Sequence, residues 1–303
     1  MLLKIPDIEI NDLTDDLFIK KQISLSVIRL DKIHSIISGN KLFKLYYFLQ
    51  QALQSVGTVK ILTFGGAYSN HLAAMAYACK LSGLKSIGIV RGEKPPQLSH
   101  TLQFCIDNGM HLKFISRDEY AKKDAIDFQE NLIREFGECF IIPEGGHHPL
   151  GAKGAALIMD SLKEKQFTHI CCATGTATTT AGLLLNIEPH QQVISISVLK
   201  GMMDIEERIL FLTENKANLQ QLKILNDYHF GGYAKSKPEL FAFMNEVYQL
   251  YQLPTDFVYT GKMLFGIFDL IKKDYFPAES KIACLHTGGL QGNLSLPSNT
   301  LLF

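Results

Sequence analysis

The threonine-rich segment at residues 174–182, TGTATTTAG, is the first of four segments whose residue types could do chemistry. It follows an apolar stretch and opens a predicted helix, whose unpaired N–H groups and dipole favour a bound phosphate. It is not a Walker loop, because no Gly-Lys-Ser/Thr follows, and Ala177 and Thr178 interrupt a G-x-G-x-x-G pattern. The segment therefore indicates either a phosphate site or an ordinary capped helix start.

The second place is Lys41, where a glycine turn at Gly39 leads through Asn40 into an amphipathic helix. A lysine near a helix start is usually solvated, but burial or a nearby cation can lower its pKa until it condenses with a carbonyl. Lys44 lies three residues further on, on the same helix face, so each lysine could lower the pKa of the other. The pattern allows both a nucleophilic and a solvated Lys41.

Two further segments carry polar groups with a structural and a functional interpretation. Ser69, Asn70 and His71 follow a Gly-Gly turn, where Ser and Asn are good helix caps but could equally bind a substrate carboxylate. Tyr259 is either a proton donor or a packing aromatic, and Thr260 is either a cap or a cofactor contact.

These segments must be positioned by an alternation of strands and helices. Short apolar runs rich in β-branched residues predict strands at 59–64, 86–90, 111–115, 139–142, 168–173, 192–198, 222–226 and 281–286. Amphipathic stretches predict helices at 69–81, 96–108, 119–136, 151–164 and 238–251. This alternation is typical of parallel sheets covered on both faces, which bind ligands at the carboxyl ends of their strands. Glycine-bearing turns follow four of the strands there, at 65–71, 143–149, 174–182 and 287–289.

Length and charge limit the classes of protein. The chain has 303 residues, which suggests roughly two domains, and Lys plus Arg (30) balances Asp plus Glu (30). Such a balance predicts no nucleic-acid or membrane partner. No apolar run reaches the ~20 residues of a membrane span, and the first residues do not resemble a signal peptide. The six cysteines form no C-x-x-C pair. We expect a cytoplasmic protein.

Taken together, the segments 39–45 (GNKLFKL), 65–71 (GGAYSNH), 174–182 and 259–262 (YTGK) resemble the 1-aminocyclopropane-1-carboxylate deaminase and D-cysteine desulfhydrase family. These are pyridoxal phosphate (PLP) enzymes with the tryptophan synthase β-subunit fold, and the resemblance runs from about residue 31 to 290. It implies an α/β protein of PLP fold type II, with two open twisted, mostly parallel sheets and helices on both faces. It also implies a large PLP-binding domain (1–43 and 153–303), a small α/β domain (44–152), a cofactor between them and a homodimer.

The resemblance also implies roles for individual residues. Lys41 would bind PLP covalently and then act as a base, Asn70 would contact the phenolic oxygen, and Thr260 would face the pyridine nitrogen. The phosphate would be held by Thr176, Ala177, Thr178 and Thr179, and Gly175 and Thr287 would also contact the cofactor. The amino-acid substrate would contact Tyr68, Ser69, Asn70, His71, Tyr233 and Tyr259, of which Ser69 and Tyr259 are also candidate catalytic groups.

The chemistry implied is α,β-elimination from a small amino acid, which releases a 2-oxo acid and ammonia. A hydroxyl at Thr260, instead of a carboxylate, supports a neutral ring nitrogen and a shallower electron sink. This favours β-elimination from a D-amino acid such as D-cysteine over ring opening of 1-aminocyclopropane-1-carboxylate, which remains the alternative. A β-replacement synthase of the same fold and a catalytically silent PLP-binding protein are also compatible with the sequence.

Four residues depart from the family pattern. Phe43 stands where arginine is usual, which would weaken the case for a low pKa at Lys41. Tyr68 replaces a common glutamine, and His147 and His148 replace smaller polar residues, so we expect a changed substrate pocket. Two adjacent histidines without a third ligand do not predict a metal site.

Overall fold

Two sheets organise the chain in the computed structural model, which describes residues 5–55 and 60–303. The six-stranded sheet has the order β1-β2-β10-β7-β8-β9, and the four-stranded sheet has the order β5-β4-β3-β6. The strands are β1 Ile10–Leu13, β2 Ser24–Ile28, β3 Lys60–Gly65, β4 Lys85–Arg91, β5 Met110–Ile115, β6 Cys139–Ile142, β7 His169–Thr174, β8 Gln192–Ser197, β9 Leu222–Leu225 and β10 Lys281–Leu285.

All pairings are parallel except that of β1 with β2. The helices between the strands are α1 Asp16–Lys20, α2 Asn40–Gln54, α3 Asn70–Ser82, α4 His100–Asp107, α5 Arg117–Tyr120, α6 Ile126–Phe136, α7 Pro149–Asp160, α8 Thr178–Leu185, α9 Ile205–Leu212, α10 Pro238–Tyr251 and α11 Thr260–Lys272. No helix in the two described ranges is long and apolar enough to cross a membrane.

Helices cover both faces of each sheet. The neighbours Cys171 and Cys172 on β7 belong to different hydrophobic clusters, because successive side chains of a strand point to opposite faces. In the smaller sheet, the neighbours Ile61 and Leu62 on β3 likewise belong to different clusters, one on each face. The predicted fold class, α/β with two mostly parallel sheets, is therefore confirmed.

Several predicted elements change at their ends. The start of the first predicted strand, at Val59, lies outside the described residues. The helix predicted at 119–136 is two helices, because α5 ends at the buried Tyr120 and single turns connect it to α6. The strands β1 and β2 were not predicted. The polar residues of β1 (INDL) have little strand propensity of their own, and this segment becomes a strand by pairing with β2.

The start of α2 is fixed by a close approach of backbone segments. Gly39 has φ +69°, and a Cβ placed on it would lie 1.9 Å from the carbonyl oxygen of Thr287, after β10. The N–H of Asn40 donates to this same oxygen over 3.3 Å. Further along, Gly154 on α7 leaves room for the carbonyl of Phe43, which a Cβ would meet at 2.1 Å. These glycines let α2 lie between the two sheets.

We expect Gly39→Ala to lower the free energy of unfolding by roughly 3 kcal/mol or more, because it combines a left-handed φ with a backbone clash. Gly137→Ala is the matched control, since Gly137 (φ +78°, ψ −174°) has nearly the backbone conformation of Gly39 (φ +69°, ψ −153°), and its Cβ position meets only the end of the flexible Lys60 side chain, at 3.4 Å. That control loses only the conformational preference, about 1–3 kcal/mol. Denaturant unfolding of both variants tests this, and equal losses would contradict the close approach.

Candidate active site

Loops from both sheets meet beside the first turn of α2. Gly39 touches the Thr287–Gly288 backbone that follows β10 of the larger sheet. A Cβ on Gly289 would lie 2.9 Å from Nδ2 of Asn70, which follows β3 of the smaller sheet, and 3.2 Å from Cγ of Asp256. The carboxyl ends of strands in both sheets thus face one cleft, as expected for ligand sites in parallel sheets.

Lys41 extends from the first turn of α2 into this cleft. Its side chain is largely buried, and burial lowers the pKa of Lys41 to about 8, against the field of Asp256, which raises it. Nζ donates to Oδ1 of Asn40 over 2.7 Å. Nδ2 of Asn40 in turn donates to Oγ1 of Thr179 over 2.8 Å. This chain of hydrogen bonds joins the candidate nucleophile to the threonine-rich loop.

Lys44 lies one turn beyond Lys41 and is only 5% exposed. Burial, and then the charge of Lys41, hold the pKa of Lys44 well below its usual value. The turn at 145–146 contacts both Lys44 and the threonine-rich loop: a Cβ on Gly146 would lie 3.5 Å from Cβ of Lys44, and one on Gly145 would lie 3.0 Å from Cγ2 of Thr176. Of the mutual effect predicted for the two lysines, only that of Lys41 on the pKa of Lys44 is found, and burial is the larger cause there. The pKa of Lys41 is set by burial and by the opposing charge of Asp256.

The threonine-rich loop wraps the N-terminus of α8. Ala177 takes a left-handed conformation (φ +63°) and is followed by Thr178, Thr179 and Thr180, all buried. The N–H groups of a first helical turn lack carbonyl partners within the helix, so they can bind an anion. Nδ1–H of His147 donates to the carbonyl oxygen of Thr176 over 3.0 Å and holds the loop. Gly175, Thr176, Ala177, Thr178 and Thr179 thus lie in the position expected of a phosphate site.

Ser69, Asn70 and His71 begin α3, but their side chains differ in what they contact. Oγ of Ser69 caps the helix by accepting from the N–H of Leu72 over 3.2 Å. Oδ1 of Asn70 is buried and has no hydrogen-bond partner among the described residues. The helix-cap interpretation therefore holds for Ser69, whereas Asn70 has an amide oxygen free for another group.

His71 is buried and neutral. The hydroxyl of Thr63 donates to the carbonyl oxygen of Ile142, so it must accept from Nε2–H of His71, 2.8 Å away. Burial, with the charges of Lys41 and Lys44, lowers the pKa of His71 to about 3. Nδ1 is then an acceptor, and it has no partner among the described residues.

Asp256 is a buried site residue that the sequence analysis did not identify. Its carboxylate accepts from the backbone N–H groups of Val258 (3.0 Å), Tyr259 (2.8 Å) and Thr260 (2.9 Å) at the start of α11. Oγ1 of Thr260 is buried and unpartnered within the part of the chain that the structure describes. An aspartate shortly before a helix start is a capping signal that could have identified it.

Two tyrosines line the cleft beside the threonine-rich loop. A Cβ on Gly175 would lie 3.2 Å from Cε1 of Tyr259, so the ring covers this glycine. Burial, then the neighbouring Tyr233, raise the pKa of Tyr259 well above its usual value. The ring centroids of Tyr233 and Tyr259 are 6.2 Å apart. Tyr233 is half exposed, as is Tyr68, which contacts His100 instead.

Three other residues that depart from the family pattern, Phe43, His147 and His148, pack in the core or hold the backbone. Phe43 is fully buried in the core of the larger sheet, so the low pKa of Lys41 arises from burial and needs no charge at position 43. Nδ1 of His148 caps α7 by accepting from the N–H of Leu150 over 3.2 Å. His147 holds the Thr176 carbonyl. No cluster of metal-ligating side chains is found in residues 5–55 and 60–303.

Comparisons with known proteins define the class of this site. Residues 22–288 match the family of pyridoxal-phosphate dependent enzymes, so the chain belongs to this family and is a PLP-dependent enzyme. A Thermotoga maritima protein, provisionally named a 1-aminocyclopropane-1-carboxylate deaminase, is 34% identical over 84% of this chain and 85% of its own length. A D-cysteine desulfhydrase of Klebsiella pneumoniae is 28% identical over 83% of this chain and 82% of its own.

Solved structures agree with these matches. The crystal structure of an ACC deaminase homologue has a TM-score of 0.81 and 27% identity, covering 95% of this chain and 91% of its own. A fungal L-serine ammonia-lyase from Rhizomucor miehei, at 15% identity and a TM-score of 0.66, shares the fold. The family resemblance and the fold type predicted from the sequence are confirmed.

We expect His71 to stay neutral, with its proton on Nε2, throughout the range from pH 8 to about 5, because its pKa is lowered to about 3. An ordinary histidine would be mostly protonated at the lower end of this range. Two-dimensional NMR of ¹⁵N-histidine-labelled protein, with His71→Gln to assign the resonance, measures the tautomer directly. A His71 signal that titrates near pH 6.5 would contradict this arrangement.

Proposed function

We propose that this chain catalyses α,β-elimination from a small D-amino acid such as D-cysteine, releasing a 2-oxo acid and ammonia. The observation that carries the proposal is the largely buried Lys41 amine, which is joined through Asn40 to Thr179 in the first turn of α8. Two of the relatives described above are named for this chemistry or for the related ring opening.

The residues of the cleft fit PLP. Six buried side-chain polar atoms lack a protein partner in the described ranges, and three of them belong to residues of the cleft: Oδ1 of Asn70, Nδ1 of His71 and Oγ1 of Thr260. Buried polar atoms are normally paired, so this group of orphans indicates a polar ligand. A phosphate suits the start of α8, and the nearby Lys44 adds a cation on the far side of the 145–146 turn. We propose that Thr287, at the Gly39 contact, completes the cofactor site.

When bound, PLP supplies an electron sink for the electrons left at the substrate Cα. Lys41 would hold the cofactor covalently, and its Nζ amine would be the base that takes the proton from the substrate Cα. A pKa near 8 leaves a useful fraction of this amine neutral. The phenol of Tyr259, which burial keeps protonated, donates to the departing β-substituent. Ser69 is a second candidate acid–base group, and Asn70, His71, Tyr68 and Tyr233 line the substrate side.

Thr260 and Asp256 together favour elimination from D-cysteine over ring opening. A carboxylate at the pyridine nitrogen would keep it protonated and deepen the electron sink. Asp256 is the buried carboxylate closest in sequence to Thr260, but its oxygens are already bonded by three backbone N–H groups. We propose that the Thr260 hydroxyl, which is buried and has no partner among the described residues, faces the ring, and a hydroxyl supports a neutral nitrogen.

We further propose the domain division 1–43 with 153–303, and 44–152. The larger sheet draws its strands from 10–28 and 169–285, and the smaller from 60–142. Phe43 packs in the core of the larger sheet while its neighbours Leu42 and Leu45 pack in that of the smaller one. We propose a cytoplasmic location on the sequence features given above and a homodimer on the family resemblance, and light scattering of the purified enzyme would test the dimer.

Lys41→Ala should abolish the visible absorption band of protein-bound PLP, since no other amine replaces the covalent bond. In the wild type, borohydride should fix the cofactor onto the peptide that contains Lys41, as read by mass spectrometry. Lys85→Ala, at an exposed position, is the control and should keep the band. If the wild-type protein supplemented with PLP lacks the band, the proposed covalent binding of PLP and the elimination chemistry are both contradicted.

D-Cysteine should be converted to pyruvate, sulfide and ammonia with kcat/KM at least about 100-fold above that for 1-aminocyclopropane-1-carboxylate, a difference of about 3 kcal/mol in transition-state stabilisation. Coupled assays for pyruvate and 2-oxobutanoate measure both, and L-cysteine tests the stereochemical preference. Faster 2-oxobutanoate release would support the ring-opening alternative. A new thioether formed on adding a thiol would identify a β-replacement synthase.

A further inference from the structure

Lys262 is a fully buried lysine that the proposed chemistry leaves without a role. It lies in the first turn of α11, two residues after Thr260, and is 0% exposed. Its ammonium points into the backbone of a loop, where Nζ donates to the carbonyl oxygens of His229 (2.9 Å) and Gly232 (2.8 Å). Charged donors make stronger hydrogen bonds than neutral ones, so these two contacts tie the loop to the helix.

The loop that Lys262 binds has an unusual backbone. Phe230, Gly231, Gly232 and Ala234 all have positive φ, and two of these four residues are not glycine. Such conformations cost of order 1–3 kcal/mol for each non-glycine residue and persist where surrounding contacts over-determine them. The bonds from Lys262 are two such contacts, because they reach the carbonyl of His229, directly before the positive-φ residues, and that of Gly232, within them.

The side chain presented by this loop is Tyr233. It directly follows Gly232, whose carbonyl Lys262 binds, and its ring faces that of Tyr259 over the threonine-rich loop. Tyr233 is nevertheless 48% exposed, so the contacts of its side chain restrain its position only in part. The position of this tyrosine therefore depends on its backbone.

A lysine at this place is costly in isolation. Burial lowers the pKa of Lys262 to about 8, and the nearby Asp256 is the charge that opposes this. Its neighbours Met263 and Leu264 are buried apolar residues, and an apolar side chain at position 262 would avoid the cost of burying an amine. What a lysine adds is a donor long enough to reach the loop carbonyls.

We propose that Lys262 is a positioning residue. Its two hydrogen bonds, which we call the clasp, hold the 229–234 loop against the start of α11 and so keep Tyr233 at the mouth of the active site. The clasp itself is independent of the chemistry, whereas its effect on substrate rests on the function proposed above.

The absence of tryptophan from the sequence allows a direct test. Tyr233→Trp places a single tryptophan on the loop of the holoenzyme, and Lys262→Met is then added to remove the donor with little change in volume. We expect the acrylamide quenching constant to rise about twofold and the fluorescence anisotropy to fall, because the loop opens locally. Lys272→Met, an exposed lysine on the same helix, is the matched control and should leave both values unchanged.

Kinetics of the otherwise wild-type enzyme test the consequence for substrate. Lys262→Met should lower kcat/KM roughly tenfold, mainly through KM, while the PLP absorption band stays. In combination with Tyr233→Phe the losses should be less than additive, since both act through one tyrosine. Lys262→Arg, which keeps the charged donor, should recover part of the loss.

Unchanged quenching and anisotropy in Lys262→Met would overturn the clasp, whatever the enzyme turns over. A mobile loop in an enzyme without elimination activity would instead uphold the clasp and reject the proposed function. If Lys262→Met does not fold, Lys262→Gln is measured in the same background. Its shorter amide cannot reach both carbonyls, so quenching should still rise, and a wild-type value would equally refute the proposal.

Discussion

The approach of Gly39 to the Thr287 carbonyl fixes where α2 begins, and the rest of the active site is arranged around that point. The contact joins residues far apart in the sequence, so it forms only when β10 and the start of α2 are both in place. Because Lys41 lies two residues after Gly39, its position follows from this contact. The hydrogen bonds through Asn40 to Thr179 then bring the start of α8 to the same place.

Three buried or largely buried lysines and one buried aspartate lie in and around this cleft, and none of the four forms an ion pair within residues 5–55 and 60–303. Lys41, Lys44 and Lys262 all have pKa values lowered by burial, and the charge of Asp256 opposes this effect at Lys41 and Lys262. Backbone N–H groups donate to the Asp256 carboxylate, and backbone carbonyls accept from the Lys262 amine. Such partners hold charged side chains in place while leaving Lys41 able to lose its proton.

Most strands of the core and the glycine turns after them could be predicted, because apolar β-branched runs and glycines are local signals. The edge strand β1 could not, since its polar residues become a strand only by pairing with β2. The interpretation of Phe43 was incomplete for a similar reason. Its replacement of arginine was expected to matter for Lys41, whereas the side chain packs into the core of the larger sheet and burial alone lowers that pKa.

The sequence by itself determined the alternation of strands and helices, the family, the cofactor and Lys41 as the candidate nucleophile, because each is carried by residue types at short spacings. Only the tertiary structure decided that His71 is a neutral acceptor, that Asp256 is already bonded at the start of α11, and that Lys262 holds the Tyr233 loop. A pKa or a hydrogen-bond partner depends on which distant segments exclude water from a side chain, and that is set by packing and not by neighbours in the chain.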